Sequence, residues 1–406
     1  MLDAVFNHSG FDFFAFRDVR ERGRESPYAD WFHIHGFPVR TKPTPNYETF
    51  ANGISSMPKL RTETPAVREY LLGVARYWIE ACDIDGWRID VANEVDHAFW
   101  RELRRTVRAV KPDAAVVGEI WHDALPWLLG DQFDGVTNYP LREACLDFFA
   151  RGRIGADGFA QALVRNLLAY PRPALMGSWN LLGSHDTERF LTACGGDARK
   201  AALAAVFTMT WVGAPLVYYG DEIGMEGGND PDCRRPMSWD RSRWNEPLFR
   251  LYKRLVGLRR GIPALRRGDA RIVYADPATN VVAYWRGFAA GSGAVDDGQD
   301  GVGAAPSPGA ADPTPGVVAG AAAGAGPLTH GGVVIVLNNS PRAREVPLGL
   351  LQRANPAGGG GEDAGLRGSA TVLLDGTHGI AGGAETQTAG GTGVVRVPAY
   401  GAVLLS

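Results

Sequence analysis

Hydrophobic and polar positions alternate in one way up to about residue 268 and in another way beyond it. In the first part, short apolar runs take turns with longer amphipathic stretches. The runs are Leu2–Asn7, Ile84–Ala92, Ala114–Trp121, Gly135–Tyr139, Trp179–Ser184 and Pro215–Tyr219. Most are nearly continuous in apolar residues, as strands buried on both faces must be. Between them, Val67–Ala81, Phe99–Val110, Leu141–Ala150, Ala198–Trp211 and Leu248–Leu258 carry apolar residues at helical spacing. This alternation predicts a parallel sheet with helical crossovers, either open and doubly wound or closed as a (β/α)8 TIM barrel. The Gly-rich turns of dinucleotide and phosphate sites are missing, which speaks against the open form. A barrel takes eight strands over about 250 residues. Six candidates are visible and Met1 already stands in a strand pattern, so the first two βα units are expected to be absent from this chain.

Beyond residue 268 the helical spacing stops. Ala270–Ala275, Val281–Trp285, Val333–Leu337, Ala370–Leu374 and Val394–Val397 read as strands of a C-terminal antiparallel β-sandwich over 269–406. The Gly/Ala/Pro-rich segment 289–331 has too few apolar residues to offset its ordering entropy and is predicted to be a disordered loop. Residues 354–368 read as a shorter version of it.

Composition changes this picture little. The net charge of −3 over 406 residues gives no electrostatic case for nucleic acid or an anionic membrane. No apolar run is long enough to span a bilayer, and no signal peptide is visible. Cys82, Cys145, Cys194 and Cys233 are scattered and form no C-x-x-C pair, so they read as reduced thiols of a cytoplasmic protein. The 11 Trp, 12 Tyr and 17 Phe serve core packing or the stacking of sugar rings, and composition does not choose between the two.

The candidate chemistry lies at the C-terminal ends of strand candidates, where barrel active sites are built. Asp3-Ala4-Val5-Phe6-Asn7-His8 ends the first run in polar groups. Its sequon, Asn7-His8-Ser9, is discounted because the position should be buried. In Asp85-Gly86-Trp87-Arg88-Ile89-Asp90, Arg88 and Asp90 share one face of a strand. A guanidinium there keeps the carboxylate ionised, which suits a nucleophile, although a structural ion pair would look the same. Val116-Val117-Gly118-Glu119-Ile120-Trp121 ends in a Glu beside an aromatic. A carboxyl in apolar surroundings has a raised pKa, which suits a general acid. Leu181-Leu182-Gly183-Ser184-His185-Asp186 closes a further run. Three acids at the ends of three strands meet the needs of glycoside hydrolysis, in which two carboxylates flank an oxocarbenium-like transition state.

These segments resemble, in order and interval, the signature regions of the α-amylase family, glycoside hydrolase family 13. Met57-Pro58-Lys59-Leu60 and the run from Gly86 to Trp100 point to its neopullulanase, cyclomaltodextrinase and maltogenic amylase group, in an N-terminally truncated form. The resemblance implies that residues 9–60 hold a small inserted domain B. It implies Asp90 as nucleophile, Glu119 as general acid/base and Asp186 as the acid that grips substrate hydroxyls. It places Asp3, His8, Arg88 and His185 around the sugar next to the cleaved bond. Asn93, Glu94 and Trp121 fall on the leaving-group side. The implied activity is hydrolysis of α-1,4 bonds, and on a wider reading α-1,6 bonds, in cyclodextrins, pullulan and malto-oligosaccharides, with transfer to sugar hydroxyls left open. The alternatives are an α-1,6-glucosidase of the same family and an inactive truncated sugar-binding protein. Relatives dimerise through an N-terminal domain, which implies a homodimer for a parent chain carrying it. Family members often hold structural calcium near the Asn that Asn7 matches. The segment shows no acidic cluster to complete a cage, so no metal is predicted and no cofactor is required.

Overall fold

The computed structural model describes residues 1–288, 332–352, 370–374 and 394–405. The segments 289–331 and 354–368, read above as loops, lie outside the described residues.

Six short parallel strands form the centre of the first part: β1 (Leu2–Ala4), β2 (Gly86–Ile89), β3 (Ala115–Gly118), β4 (Gly135–Val136), β5 (Trp179–Leu181) and β6 (Ala214–Leu216). Strands β1 to β4 pair in sequential order, β5 pairs with β6, and a parallel bridge from Thr137 to Trp179 joins the two groups. Each strand is shorter than its apolar run, because the last residues of the run leave the ladder to enter the loops above the sheet. Gly86 is required where it stands. Its φ is +150°, and a Cβ there would lie 2.1 Å from the carbonyl oxygen of Ala115 on the neighbouring strand.

The helices are α1 (Phe14–Arg22), α2 (Pro65–Cys82), α3 (His97–Val110), α4 (Tyr139–Cys145), α5 (Ala156–Ala169), α6 (Arg172–Gly177), α7 (Phe190–Ala193), α8 (Ala198–Thr210), α9 (Glu246–Gly261) and α10 (Pro263–Arg267). Their starts follow local chemistry. Pro65 opens α2 at a position where no backbone donor is needed. Asp96, Asn138, Asp197 and Asn245 cap α3, α4, α8 and α9 by accepting backbone N–H groups of the first turn. The predicted helix Leu141–Ala150 is two pieces, α4 followed by one π-helical turn over Leu146–Ala150. The inserted segment between β1 and α2 has only α1 and short 3-10 turns. It is held by isolated bridges, His8 to Lys59 and Thr49 to Pro58 among them, and by buried Phe16, Trp31, Phe32 and Tyr47.

The second part is antiparallel. Strands β7 (Asp269–Asp276), β8 (Val281–Gly287), β9 (Val333–Asn338), β11 (Ala370–Leu374) and β13 (Gly401–Leu405) form one sheet in the order β11-β13-β9-β8-β7. β10 (Arg344–Pro347) pairs with β12 (Val394–Val397), and the short helix α11 (Leu348–Gln352) follows β10. Alternation along β8 and β9 gives the large sheet two apolar faces. Val281, Ala283, Trp285, Val334 and Val336 pack with Val346, Val395 and Val397 of the small sheet. Val282, Tyr284, Val333, Ile335 and Leu337 face the other way, against α8. Helix α8 is therefore buried on all sides from Ala201 to Thr210, which its run of Ala, Val and Phe permits. Among the described residues, no helix is long and apolar enough to cross a membrane.

Candidate active site

Strand register brings the acids together before side chains are considered. Asp3 pairs with Arg88 across β1 and β2, and Ile89 pairs with Gly118 across β2 and β3. One residue further on, Asp90 donates its N–H to the carbonyl of Ala4, and Glu119 donates its own to the carbonyl of Ile89. Asp90 and Glu119 thus leave adjacent strands side by side, at the C-terminal mouth of the sheet.

Arg88 joins three carboxylates. Its Nη1 donates to Asp3 Oδ1 and to Asp90 Oδ1, each at 2.7 Å, and its Nη2 lies 2.8 Å from Glu119 Oε2. Burial pulls the guanidinium down, but Glu119, Asp3 and Asp90 outweigh it and hold Arg88 above its ordinary value. The sequence suggested that Arg88 would favour the ionised form of Asp90, and Arg88 does pull the carboxyl down. Burial of Asp90 prevails over the arginine and pushes the carboxyl up to about 6, with Glu119 and Asp3 adding in the same direction.

Glu119 also departs from expectation. Its carboxylate does not sit in apolar surroundings, because it meets three donors: Arg88, the backbone N–H of Val91 at 3.1 Å and Trp121 Nε1 at 3.2 Å. Val91 reaches Glu119 from a left-handed backbone, φ +45°, which a β-branched residue adopts only under strain. That strained turn carries the chain from Asp90 into the 3-10 turn Ala92–Glu94.

Asp186 is oriented from two sides. His185 Nε2 lies 3.0 Å from Oδ2, and Arg234 Nη2 lies 3.0 Å from Oδ1. Burial raises its pKa, with His185 opposing. His8 is buried, stacks on Phe50 with ring centroids 4.9 Å apart, and is lowered in pKa by burial against the pull of Glu94. Glu94 Oε2 accepts from Asn7 Nδ2 at 3.2 Å and from Lys59 Nζ at 3.4 Å, so the loop after β2 is tied to the inserted segment. Asn93 stands exposed on the same turn. Trp121 is half-exposed and lies flat on Tyr139, with centroids 3.9 Å apart and planes at 11°. Such a plate suits the apolar face of a sugar ring.

Asn7 Oδ1 is buried without a hydrogen-bond partner. Among the described residues, no group of three His, Cys, Asp or Glu is placed to hold a metal.

Sequence reasoning missed Arg234, Tyr139 and Lys59 as site residues. Lys59 stood in a quoted motif without a role, and Tyr139 ended a strand run. Arg234 lies in a loop without periodicity, 48 residues from Asp186, and nothing in the sequence marks it.

Parallel strands with helical crossovers, acids at the strand ends and an aromatic plate beside them define an α/β-barrel protein of the glycoside hydrolase type. Residues 1–246 match the α-amylase catalytic domain, and the chain belongs to the α-amylase family. It is 58% identical over 286 residues to neopullulanase 2 of Thermoactinomyces vulgaris, covering 70% of this chain and 49% of that protein. It is 55% identical over 284 residues to a cyclomaltodextrinase of Geobacillus thermopakistaniensis (strain MAS1), covering 70% and 48%. The chain spans about half the length of the curated relatives it matches. The solved cyclic α-maltosyl-(1→6)-maltose hydrolase from Arthrobacter globiformis superposes with a TM-score of 0.77 at 32% identity, over 100% of this chain and 74% of that one. The fold is thus the family's (β/α)8 barrel type with a C-terminal antiparallel β-sheet domain.

Proposed function

We propose that this chain carries the catalytic machinery of a retaining α-glucoside hydrolase that acts on α-1,4 bonds in cyclodextrins, pullulan and malto-oligosaccharides. The observation that carries the reading is the single guanidinium of Arg88 bridging Asp90 and Glu119 at the ends of neighbouring strands. A retaining enzyme needs its two carboxyl groups about 5–5.5 Å apart on either side of the anomeric carbon, and adjacent strands supply that order of spacing.

In this mechanism, protonated Glu119 gives its proton to the glycosidic oxygen while Asp90 attacks the anomeric carbon. The C–O bond breaks, the leaving sugar departs as an alcohol, and a glycosyl ester forms on Asp90. Glu119, now ionised, takes a proton from water or from a sugar hydroxyl, which attacks the same carbon and frees Asp90. Asp186, His185 and His8 hold the sugar by its hydroxyls. Arg88 orients both carboxyl groups. Trp121 on Tyr139 stacks the leaving sugar, and Glu94, tied to Lys59, shapes the acceptor side. No cofactor takes part. The four cysteines are unpaired, three of them buried, which suits the reducing conditions of the cytoplasm.

The reading is tested by reducing-sugar release from β-cyclodextrin by the chain, beside its Asp90→Asn variant. The expected result is release by the parent alone. Equal release by both proteins would remove Asp90 from the mechanism.

A further inference from the structure

We propose that Arg189 is a positioning residue for Asp186: buried behind the site, it fastens segment 225–235 to the loop after β5 and so fixes where Arg234 meets Asp186. The proposal rests on the reading of Asp186 given above.

Arg189 is fully buried. Its Nη1 donates to the carbonyl of Tyr219 at 2.6 Å and to Asp221 Oδ1 at 3.0 Å, and its Nε donates to the carbonyl of Cys233 at 3.1 Å. The guanidinium lies over the ring of Tyr218, 4.4 Å from the centroid. One side chain therefore ties three stretches together: its own loop after β5, the loop after β6 and the segment around Cys233.

Other contacts of that segment lead towards Asp186. The backbone N–H of Arg189 donates to the carbonyl of Gly227 at 3.0 Å. The Cys233 thiol, also fully buried, donates to the carbonyl of His185 at 3.1 Å, and Arg234 Nε donates to the same carbonyl at 2.8 Å. From there Arg234 Nη2 reaches Asp186. Segment 225–235 has only the 3-10 turn Asp232–Arg234 as regular structure, and these bonds share its support with Gly227 N–H donating to Thr192 Oγ1 and Tyr219 OH donating to the carbonyl of Arg235. The three bonds leave from two separate nitrogens, Nε and Nη1, held apart by the rigid guanidinium, whereas a lysine offers a single nitrogen. The consequence is a carboxylate at Asp186 held in place before substrate arrives, as electrostatic stabilisation of a transition state requires.

The test is Arg189→Lys, which keeps a cation beside Asp221 and removes the fork. Two readouts are taken on the full chain. Amide hydrogen exchange should rise about tenfold or more in peptides covering 183–190 and 225–235, with 86–94 and 115–121 unchanged. On β-cyclodextrin, kcat should fall about tenfold with KM within about twofold, since a group acting mainly in the transition state is displaced. Unchanged exchange over 183–190, or loosening spread over the whole chain, would overturn the proposal. So would an unchanged kcat in an active parent. If the parent shows no turnover, the hydrolase reading fails, while the exchange pattern still decides whether Arg189 holds the Asp186 loop.

Discussion

Two arginines, one half-buried in the site and one fully buried at the seam between barrel and sheet, show how differently the molecule uses the same side chain. Arg88 faces three carboxylates, Asp3, Asp90 and Glu119, and is held above its ordinary pKa. Arg286 of β8 is fully buried and faces carbonyl oxygens: Ala264, Leu265 and Gly268 at 3.1, 3.0 and 2.9 Å, Asp269 at 3.2 Å, and Thr210. Thr210 ends α8, while Ala264 and Leu265 belong to the short helix α10, so Arg286 meets carbonyl groups at the ends of two helices. Burial, with Arg259 nearby, lowers its pKa to about 9. The contrast teaches that a buried cation among dipoles serves cohesion, whereas one among titratable acids governs where protons and negative charge reside.

The largest expected effect breaks the first half of that contrast. Asp90→Asn or Glu119→Gln should lower kcat by roughly 10⁴-fold or more with the far-UV circular dichroism unchanged, because each removes one partner of a two-carboxyl mechanism. Turnover near the parent's rate in clean preparations of either variant would refute the assignment.

The second half is broken by Arg286→Leu. Buried carbonyls at the seam lose their donor, and the folded state should lose about 3–5 kcal/mol, read from urea unfolding. Activity per folded molecule should stay near the parent's value. A loss of activity without a loss of stability would show that the seam is part of the site.

Acidity sharpens the comparison further. Asp90 must be ionised to attack, and its carboxyl titrates at about 6, so protonation removes the nucleophile as the pH falls through that value. Accordingly kcat/KM should drop about tenfold per pH unit below it. A profile flat from pH 7 to 5 would contradict the argument that burial outweighs Arg88. The smallest effect belongs to the aromatic plate. Trp121→Ala should raise KM for β-cyclodextrin by several-fold, about 1 kcal/mol of lost stacking and apolar contact. An unchanged KM would leave Trp121 a packing role on Tyr139.

The same contrast explains what could be read from the sequence. The ends of the strands were legible because polar Asp3, Asp90, Glu119 and Asp186 interrupt apolar runs, and a buried parallel strand leaves such an interruption few places but the loops above the sheet. Helix α3 was legible from its spacing, and Asp96 is a local cap. The missed elements depend on partners elsewhere in the chain. β10 (Arg-Glu-Val-Pro) buries one side chain, Val346, and is a strand through its pairing with β12. β13 gains its place from β9 and β11 on either side. Arg88 could be paired with Asp90 at a spacing of two residues, but its contacts with Asp3 and Glu119 follow from register between strands. Arg189 and Arg234 act across 30 to 49 residues of chain, largely through carbonyls that every residue has, so no residue pattern announces them.

The central claim is that Asp90 carries the sugar between the two steps. The most direct measurement is intact and peptide mass spectrometry of the Glu119→Gln variant incubated with α-maltosyl fluoride. Fluoride leaves without an acid's help, and the missing base slows release, so the account predicts a maltosyl ester on the peptide holding Asp90. An adduct on another residue, or none in a protein that binds the fluoride, would contradict it.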